Sequence, residues 1–105
     1  MNPIYYLSGK ITDETRSKEL ANMARFDETE AVFKAAGYAV FNPASLETPN
    51  WTWEQYLARD LKWIYEHRPT MYFMQGWQDS RGARLELEFA KLLGLQLMFE
   101  EWKGG

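Results

Sequence analysis

An acidic residue follows a short apolar strand and a glycine-containing turn, and this combination of residues could form a ligand-binding or catalytic site. Met71–Met74 is predicted as a buried strand, residues 75–82 are polar with two glycines, and the helix predicted over Ala83–Leu93 carries Glu86 in about its first turn. Ligands of open α/β sheets bind at the carboxyl ends of the strands, where a turn and a helix N-terminus present backbone N–H groups. We therefore expect Glu86 to face a ligand cleft or to pack beside it.

A second small turn follows the first predicted strand. Residues 3–7 read Pro-Ile-Tyr-Tyr-Leu, which favours a buried strand, and Ser8, Gly9 and Lys10 come directly after it. A glycine at this point lets a ligand approach the backbone closely. Lys10 could neutralise an anion, or it is an ordinary solvated lysine in a loop.

The remaining predicted elements are helices over Ser17–Ala36 and Trp53–His67 and strands over Tyr38–Phe41 and Leu95–Phe99. Long connections between successive strands are typical of parallel crossover units. The order predicts an α/β fold in one domain over residues 1–105. We expect a flavodoxin-like or Rossmann-like three-layer sandwich with a short, mostly parallel sheet of four to five strands.

Composition restricts the class of protein. The 105 residues are 46% hydrophobic, which predicts a packed core, and the net charge of -3 argues against nucleic-acid binding. There is no cysteine, and His67 is the one histidine, so we expect no metal site. No stretch approaches the roughly twenty apolar residues of a membrane span, and the N-terminus lacks a signal-peptide pattern. We expect a cytoplasmic protein without a membrane partner and, from its many apolar residues, a homodimer.

Two acids have both an ordinary and a functional interpretation. Asp60 lies beside Leu61, near the apolar stripe of its predicted helix, but most acids on helices are simply solvated. For Glu86 the ordinary role is an acid near a helix N-terminus, which the helix dipole stabilises by about 0.3–1 kcal/mol.

Three tryptophans lie near the predicted strand ends. Trp51 and Trp53 are in or just after a loop over residues 44–52, and Trp77 is in the turn after the third strand. Their planar faces could stack on a nucleobase, or they anchor a lid or a subunit interface.

Four segments carry motifs of one known family: residues 6–11 (Tyr-Leu-Ser-Gly-Lys-Ile), 37–43 (Gly-Tyr-Ala-Val-Phe-Asn-Pro), 59–61 (Arg-Asp-Leu) and 80–90 (Ser-Arg-Gly-Ala-Arg-Leu-Glu-Leu-Glu-Phe-Ala). In order and approximate spacing, they resemble the nucleoside 2-deoxyribosyltransferase superfamily. The resemblance is to its small 2′-deoxynucleoside 5′-phosphate N-hydrolase branch and to short phage proteins of that type.

The resemblance implies cleavage of the N-glycosidic bond of a nucleoside or nucleoside 5′-monophosphate, by hydrolysis or base transfer and without a cofactor. It implies that Glu86 is the nucleophile or charge stabiliser at the sugar C1′ and that Asp60 protonates or positions the leaving base. Tyr6 would orient Glu86. The residues that the resemblance implies for binding the 5′-phosphate are Ser8, Gly9, Lys10, Ser80 and Gly82.

The chain departs from the pattern of this family at two positions and in its length. Glu88 replaces a glycine and is expected to add bulk and negative charge near the site, and Gln75 replaces an acid that many members carry after the third strand. The chain stops after its fourth predicted strand, where the family usually has a fifth. We therefore expect a cleft that is more open or that another subunit completes.

The chemistry suits two carboxyl groups. A carboxylate close to C1′ gains interaction as positive charge develops there, and a second acid with a raised pKa can protonate the departing base. Two other classes of function remain open. One is a module that binds a nucleotide without cleaving it, and the other is an interaction protein whose docking surface comprises Trp51, Trp53, Trp77 and Trp102.

Overall fold

Four parallel strands form the centre of the protein. The computed structural model describes residues 3–45 and 50–101, so Trp102 lies outside the described residues. Within these ranges the strands are paired in the order β2-β1-β3-β4, and each pairing is parallel. The strands are β1 (Ile4–Ser8), β2 (Ala39–Phe41), β3 (Thr70–Phe73) and β4 (Leu97–Phe99).

A helix connects each strand to the next one along the chain. The helices are α1 (Arg16–Ala35), α2 (Trp53–His67) and α3 (Arg81–Leu93). The chain moves from β1 outward to β2 and then back across β1 to β3 and β4. Because crossovers between parallel strands are right-handed, connections that run in opposite directions place their helices on opposite faces of the sheet.

Two apolar clusters fill the spaces between the sheet and the helices. Successive residues of β1 point to opposite faces, so Tyr6 packs with Ile64 of α2 and Leu87 of α3, whereas Leu7 packs with Phe26 of α1. The fold is therefore a three-layer α/β sandwich, with α1 on one side of the sheet and the other two helices on the opposite side. The predicted fold class is confirmed, and the sheet in the described residues has four strands.

The predicted boundaries of α2 are confirmed to the residue. Thr52 caps this helix through a reciprocal pair of hydrogen bonds with Gln55. The Thr52 hydroxyl accepts from the Gln55 N–H at 3.2 Å, and the Gln55 side-chain oxygen accepts from the Thr52 N–H at 2.7 Å. This arrangement satisfies two N–H groups that the start of a helix leaves without partners, so it fixes where the helix begins.

The predicted first residues of α3 and β4 are each wrong by two positions, whereas their predicted last residues are confirmed. The helix begins at Arg81 because the Ser80 side chain accepts the Ala83 N–H at 3.1 Å. The strand begins later than predicted because the Leu95 N–H donates to the Ala90 carbonyl at 3.0 Å, so Leu95 still belongs to the helix end. The other predicted boundaries lie within one residue of the observed ones.

Gly9 follows β1 and is in close contact with α1. A Cβ atom at this position would lie 3.2 Å from the Met74 Cβ and 3.3 Å from the Phe26 Cζ. Phe26 and Met74 are both buried, so neither neighbour moves aside easily. The glycine predicted to let a ligand approach is thus also needed for the packing of α1 against the sheet.

The strand order reverses between β1 and β3, and open α/β sheets bind ligands at such a point. Across residues 3–45 and 50–101, the helices are all too short or too polar to cross a membrane.

Candidate active site

A cleft of about 610 Å³ lies at the carboxyl ends of the strands. Its walls come from the segments that follow β1, β2 and β3 and from all three helices. Small-molecule sites in proteins commonly have volumes in this range. The cleft is therefore at the position, and of the size, expected for a small-molecule site in this fold.

Glu86 is the charged member of the buried stripe on α3. The other buried residues of this helix are Ala83, Leu87 and Ala90, at the three- and four-residue spacing of one helix face, and only 6% of Glu86 is exposed. As the sixth residue of α3, Glu86 lies in the second turn, not in the first turn as predicted. Glu86 lies beyond the first turn and is buried, so its ordinary interpretation as an acid at the helix N-terminus is wrong.

Two hydroxyl groups from β1 hold the Glu86 carboxylate. The Tyr6 hydroxyl donates to Oε2 at 2.6 Å, and the Ser8 hydroxyl donates to Oε1 at 2.7 Å. Tyr6 thus contacts Glu86 as the resemblance implied. Ser8 was expected to bind a phosphate, but its hydroxyl contacts Glu86 and Ser8 does not border the cleft.

Asp60 lies on the buried face of α2 and borders the same cleft. It is 8% exposed, so the interpretation as a solvated helix acid is wrong. Its neighbour Arg59 donates to Oδ1 from Nε at 2.9 Å, and the Arg59 Nη2 lies 2.8 Å from the same oxygen. The Arg59 guanidinium also lies over the rings of Tyr56 and Trp51, at 5.4 Å and 5.8 Å from their centroids. Asp60 is thus buried with a cation held beside it.

Burial dominates the electrostatics of the two acids. It raises the pKa of Glu86 to about 8, with hydrogen bonds from Tyr6 and Ser8 opposing the rise and the negative charge of Asp60 adding to it. Burial also raises the pKa of Asp60, against the positive charge of Arg59. The pKa of Tyr6 is raised well above its usual value by burial and then by Glu86, and hydrogen bonding to Asp60 contributes as well. The Tyr6 hydroxyl therefore keeps its proton, which it donates to Glu86.

The predicted phosphate-binding residues lie in two places. Gly9, Ser80 and Gly82 border the cleft, the latter two at the N-terminus of α3. Lys10 does not border it, and its Nζ lies 3.8 Å from the Asp13 carboxylate. The structure thus brings only part of this predicted set to the cleft.

The three tryptophans also lie in two different places. Trp51 and Trp53 border the cleft, and the Arg81 guanidinium lies 4.5 Å from the centroid of a Trp53 ring. Trp77 does not border the cleft, and its ring packs with those of Phe73 and Phe99, at centroid distances of 5.5 Å and 5.7 Å. The structure therefore places Trp77 with the apolar cluster beneath α3.

The two departures from the family pattern lie away from the cleft. Glu88 is exposed and pairs with Lys91 at 3.8 Å, because it lies two residues, or about 200° around the helix, from Glu86. The expectation that Glu88 adds charge near the site is wrong. Gln75 does not border the cleft, and its backbone N–H donates to Glu100 at 2.8 Å.

Arginine residues at the cleft are the main feature that the sequence analysis does not predict. Arg16, Arg59 and Arg81 all border it. For Arg59 the available signal is its position directly before Asp60, since a buried acid requires a nearby cation or donors. Arg16 and Arg81 carry no such signal in the sequence.

Comparison with known proteins identifies one family. A family model described as "Domain of unknown function (DUF4406)" matches residues 3–99. No curated protein matches the chain.

The substitution Glu86→Gln should reduce the dependence of the free energy of unfolding on pH. The folded carboxyl has a pKa of about 8 and the ordinary value is 4.5, so between these pH values the folded state binds more protons than the unfolded state. The stability that this group contributes is fully present at low pH and is lost as the pH rises to about 8. The loss is up to about 1.4 kcal/mol per pH unit. Urea denaturation across this range measures the slope.

Glu88→Gln is the matched control, because Glu88 is an exposed glutamate on the same helix. It should keep the slope of the parent protein. Equal slopes for the parent and Glu86→Gln would contradict a buried Glu86 whose pKa is raised.

Proposed function

The chain belongs to the DUF4406 family, a domain of unknown function, and we propose that it cleaves the N-glycosidic bond of a nucleoside or nucleoside 5′-monophosphate. One observation supports this function above the others. Two buried acids from different helices, Glu86 and Asp60, border one cleft, and the Tyr6 hydroxyl donates to Glu86 at 2.6 Å. A relationship to the nucleoside 2-deoxyribosyltransferase superfamily is part of the same proposal, because these are the residues that the resemblance implies.

Glu86 is the group that we assign to the sugar. As the bond between C1′ and the base breaks, positive charge develops on the sugar, and a carboxylate held beside C1′ interacts more strongly with this transition state than with the substrate. Fixed donors from Tyr6 and Ser8 hold the carboxylate in one orientation before the substrate binds. Attack on C1′ followed by water gives hydrolysis, and attack followed by a second base gives transfer.

Asp60 is the group that we assign to the leaving base. A base that departs as an anion is a poor leaving group, so an acid that gives it a proton lowers the barrier. Burial of Asp60 favours this protonated form. Arg59 favours the ionised form, which Asp60 reaches once it has given up its proton.

Groups that border the cleft suit the different parts of a nucleotide. Trp51 and Trp53 offer aromatic surface for a base. Ser80 and Gly82 border the cleft where the N-terminus of α3 presents backbone N–H groups, which favour an anion such as a 5′-phosphate. Within the proposal, the phosphate therefore binds beside Ser80 and not beside Lys10. The reaction requires no cofactor.

We also propose that the protein is a homodimer. Leu85 and Leu92 lie one heptad apart on α3, and both are exposed, Leu92 to 80%. Phe99, on the edge strand β4, is exposed as well. Apolar side chains of this size on neighbouring elements are typical of a surface that another subunit covers.

The substitution Leu92→Glu should shift the protein towards the monomer, because it places a charge in the proposed interface. Sedimentation at several protein concentrations measures the association. A parent protein that is monomeric at every concentration would contradict the homodimer.

The substitution Glu86→Ala should lower the release of free base from nucleoside 5′-monophosphates by about 10³-fold or more, because it removes the group that contacts C1′. Chromatography of a panel of nucleosides and nucleotides after incubation measures the free base. Glu88→Gln should remain as active as the parent, since Glu88 is exposed outside the cleft.

Base release by Glu86→Ala at the rate of the parent would overturn the assignment of Glu86. A nucleotide that raises the melting temperature of the parent without being cleaved would instead favour the binding module.

The substitution Asp60→Asn should slow the release of an ordinary base by about 10²- to 10⁴-fold. A purine already methylated at N7 leaves as a neutral molecule and needs no proton, so its release should slow much less. The comparison uses one variant and two substrates, so a general loss of structure affects both equally. Equal losses for the two substrates would show that Asp60 is not the acid.

A further inference from the structure

The two hydroxyl groups that hold Glu86 differ in their position relative to the cleft. Tyr6 borders the cleft, and its hydroxyl interacts with Asp60 as well as with the Glu86 Oε2. Ser8 is as fully buried as Tyr6 but does not border the cleft, and it donates to the Glu86 Oε1. Oε2 is therefore bonded by Tyr6, which borders the cleft, and Oε1 is bonded by Ser8, which does not.

The spacing of Tyr6 and Ser8 in the strand produces this arrangement. Alternate residues of a strand share a face, so the side chains of Tyr6 and Ser8 lie on the same side of the sheet. Both hydroxyls therefore reach the one Glu86 carboxylate. Leu7, between them, points to the opposite face and packs with Phe26.

From this geometry, and resting on the proposed function, we propose that Ser8 is a positioning residue that anchors Oε1 of Glu86 and leaves Oε2 as the atom that bonds to the anomeric carbon. Ser8 touches no substrate in this role. It acts through Glu86 in both halves of the reaction.

In the first half, a lone pair of Oε2 forms the bond to C1′ as the bond between C1′ and the base nitrogen breaks. The electron pair of the broken bond stays on the base, which takes the proton of Asp60. The negative charge thus moves from Glu86 to Asp60, and both acids influence the Tyr6 hydroxyl. Ser8 continues to donate to Oε1, which is now the carbonyl oxygen of the ester.

In the second half, water attacks C1′ and gives its proton to Asp60, and the bond between C1′ and Oε2 breaks. The electron pair of that bond returns to Glu86 as a carboxylate. The Ser8 hydroxyl is then again beside a charged oxygen, which makes Glu86 a better leaving group. A serine in this position therefore assists both the attack of Glu86 and its departure.

Ser8→Ala and Ser8→Cys test the role. Alanine removes the donor, and cysteine keeps nearly the same shape with a much weaker donor. Both should lower kcat by about tenfold to a hundredfold, the range for a hydrogen bond to a charged group. Both should also move the rising limb of kcat to higher pH, because the Ser8 hydrogen bond lowers the pKa of Glu86. Ser45→Ala is the control, since the Ser45 hydroxyl donates to the Asn42 carbonyl and not to Glu86.

Measurements of activity and of the Glu86 titration together distinguish a failure of the Ser8 role from a failure of the proposed function. The ¹³C chemical shift of the Glu86 carboxyl reports its pKa directly and needs no turnover. A parent that releases base, with Ser8→Ala and Ser8→Cys unchanged in kcat and in the titration of Glu86, would overturn the role of Ser8 alone. A loss in Ser8→Ala that Ser8→Cys fully restores would show that Ser8 only fills space, and would overturn it too. A parent that releases no base from any substrate would overturn the proposed function and the positioning role with it.

The oxygen that bonds to C1′ is tested by a crystal structure of the ester formed in Asp60→Asn from a nucleotide whose purine is methylated at N7. This base leaves without a proton, so the ester forms, and it should accumulate because the group that accepts the proton of water is missing. The proposal requires C1′ on Oε2 and the Ser8 hydroxyl on Oε1. A bond to Oε1 would overturn it.

Discussion

The contact between the buried Glu86 carboxylate and two hydroxyl groups of β1 determines the arrangement of the cleft. An ionisable group without partners in an apolar interior costs several kcal/mol, so the interior tolerates a glutamate on this face of α3 only together with its donors. Tyr6 and Ser8 are 80 and 78 residues from Glu86 along the chain. The contact therefore links the first strand to the last helix, and the orientation of the acid depends on the packing of that whole layer.

The two acids of the cleft are held by different chemistry. Glu86 is held by neutral hydroxyls, which hydrogen-bond to the carboxylate without neutralising its charge. Asp60 is held by the guanidinium of its own neighbour, Arg59, which opposes the effect of burial. One acid is thus fixed by tertiary structure and the other by an adjacent residue whose position depends on the rings of Tyr56 and Trp51. Two carboxyl groups in such different surroundings can take different parts in one reaction.

Local signals in the sequence are sufficient to predict the helices and strands, but they are insufficient to predict the contacts of the residues at the cleft. The limits of α2 follow from a cap and an apolar spacing that both act within one helix. Periodicity alone allows an ordinary surface acid at Glu86 and Asp60, and only the family resemblance selects them, because burial depends on distant segments. The contact of Ser8 with Glu86 joins β1 to α3, and the packing of Trp77 requires the pairing of β3 with β4. Neither can be predicted from a short window of residues.

The packing of Phe26 against Gly9 bears on how this cleft could be redesigned. Phe26 borders the cleft and is also a fully buried member of the cluster between α1 and the sheet. Truncating it to make room for a bulkier ligand would cost about 3–5 kcal/mol, a large fraction of the stability of a domain of this size. One aromatic ring therefore contributes both to the wall of the cleft and to the stability of the fold, and an engineer would have to stabilise the protein elsewhere before enlarging the cleft.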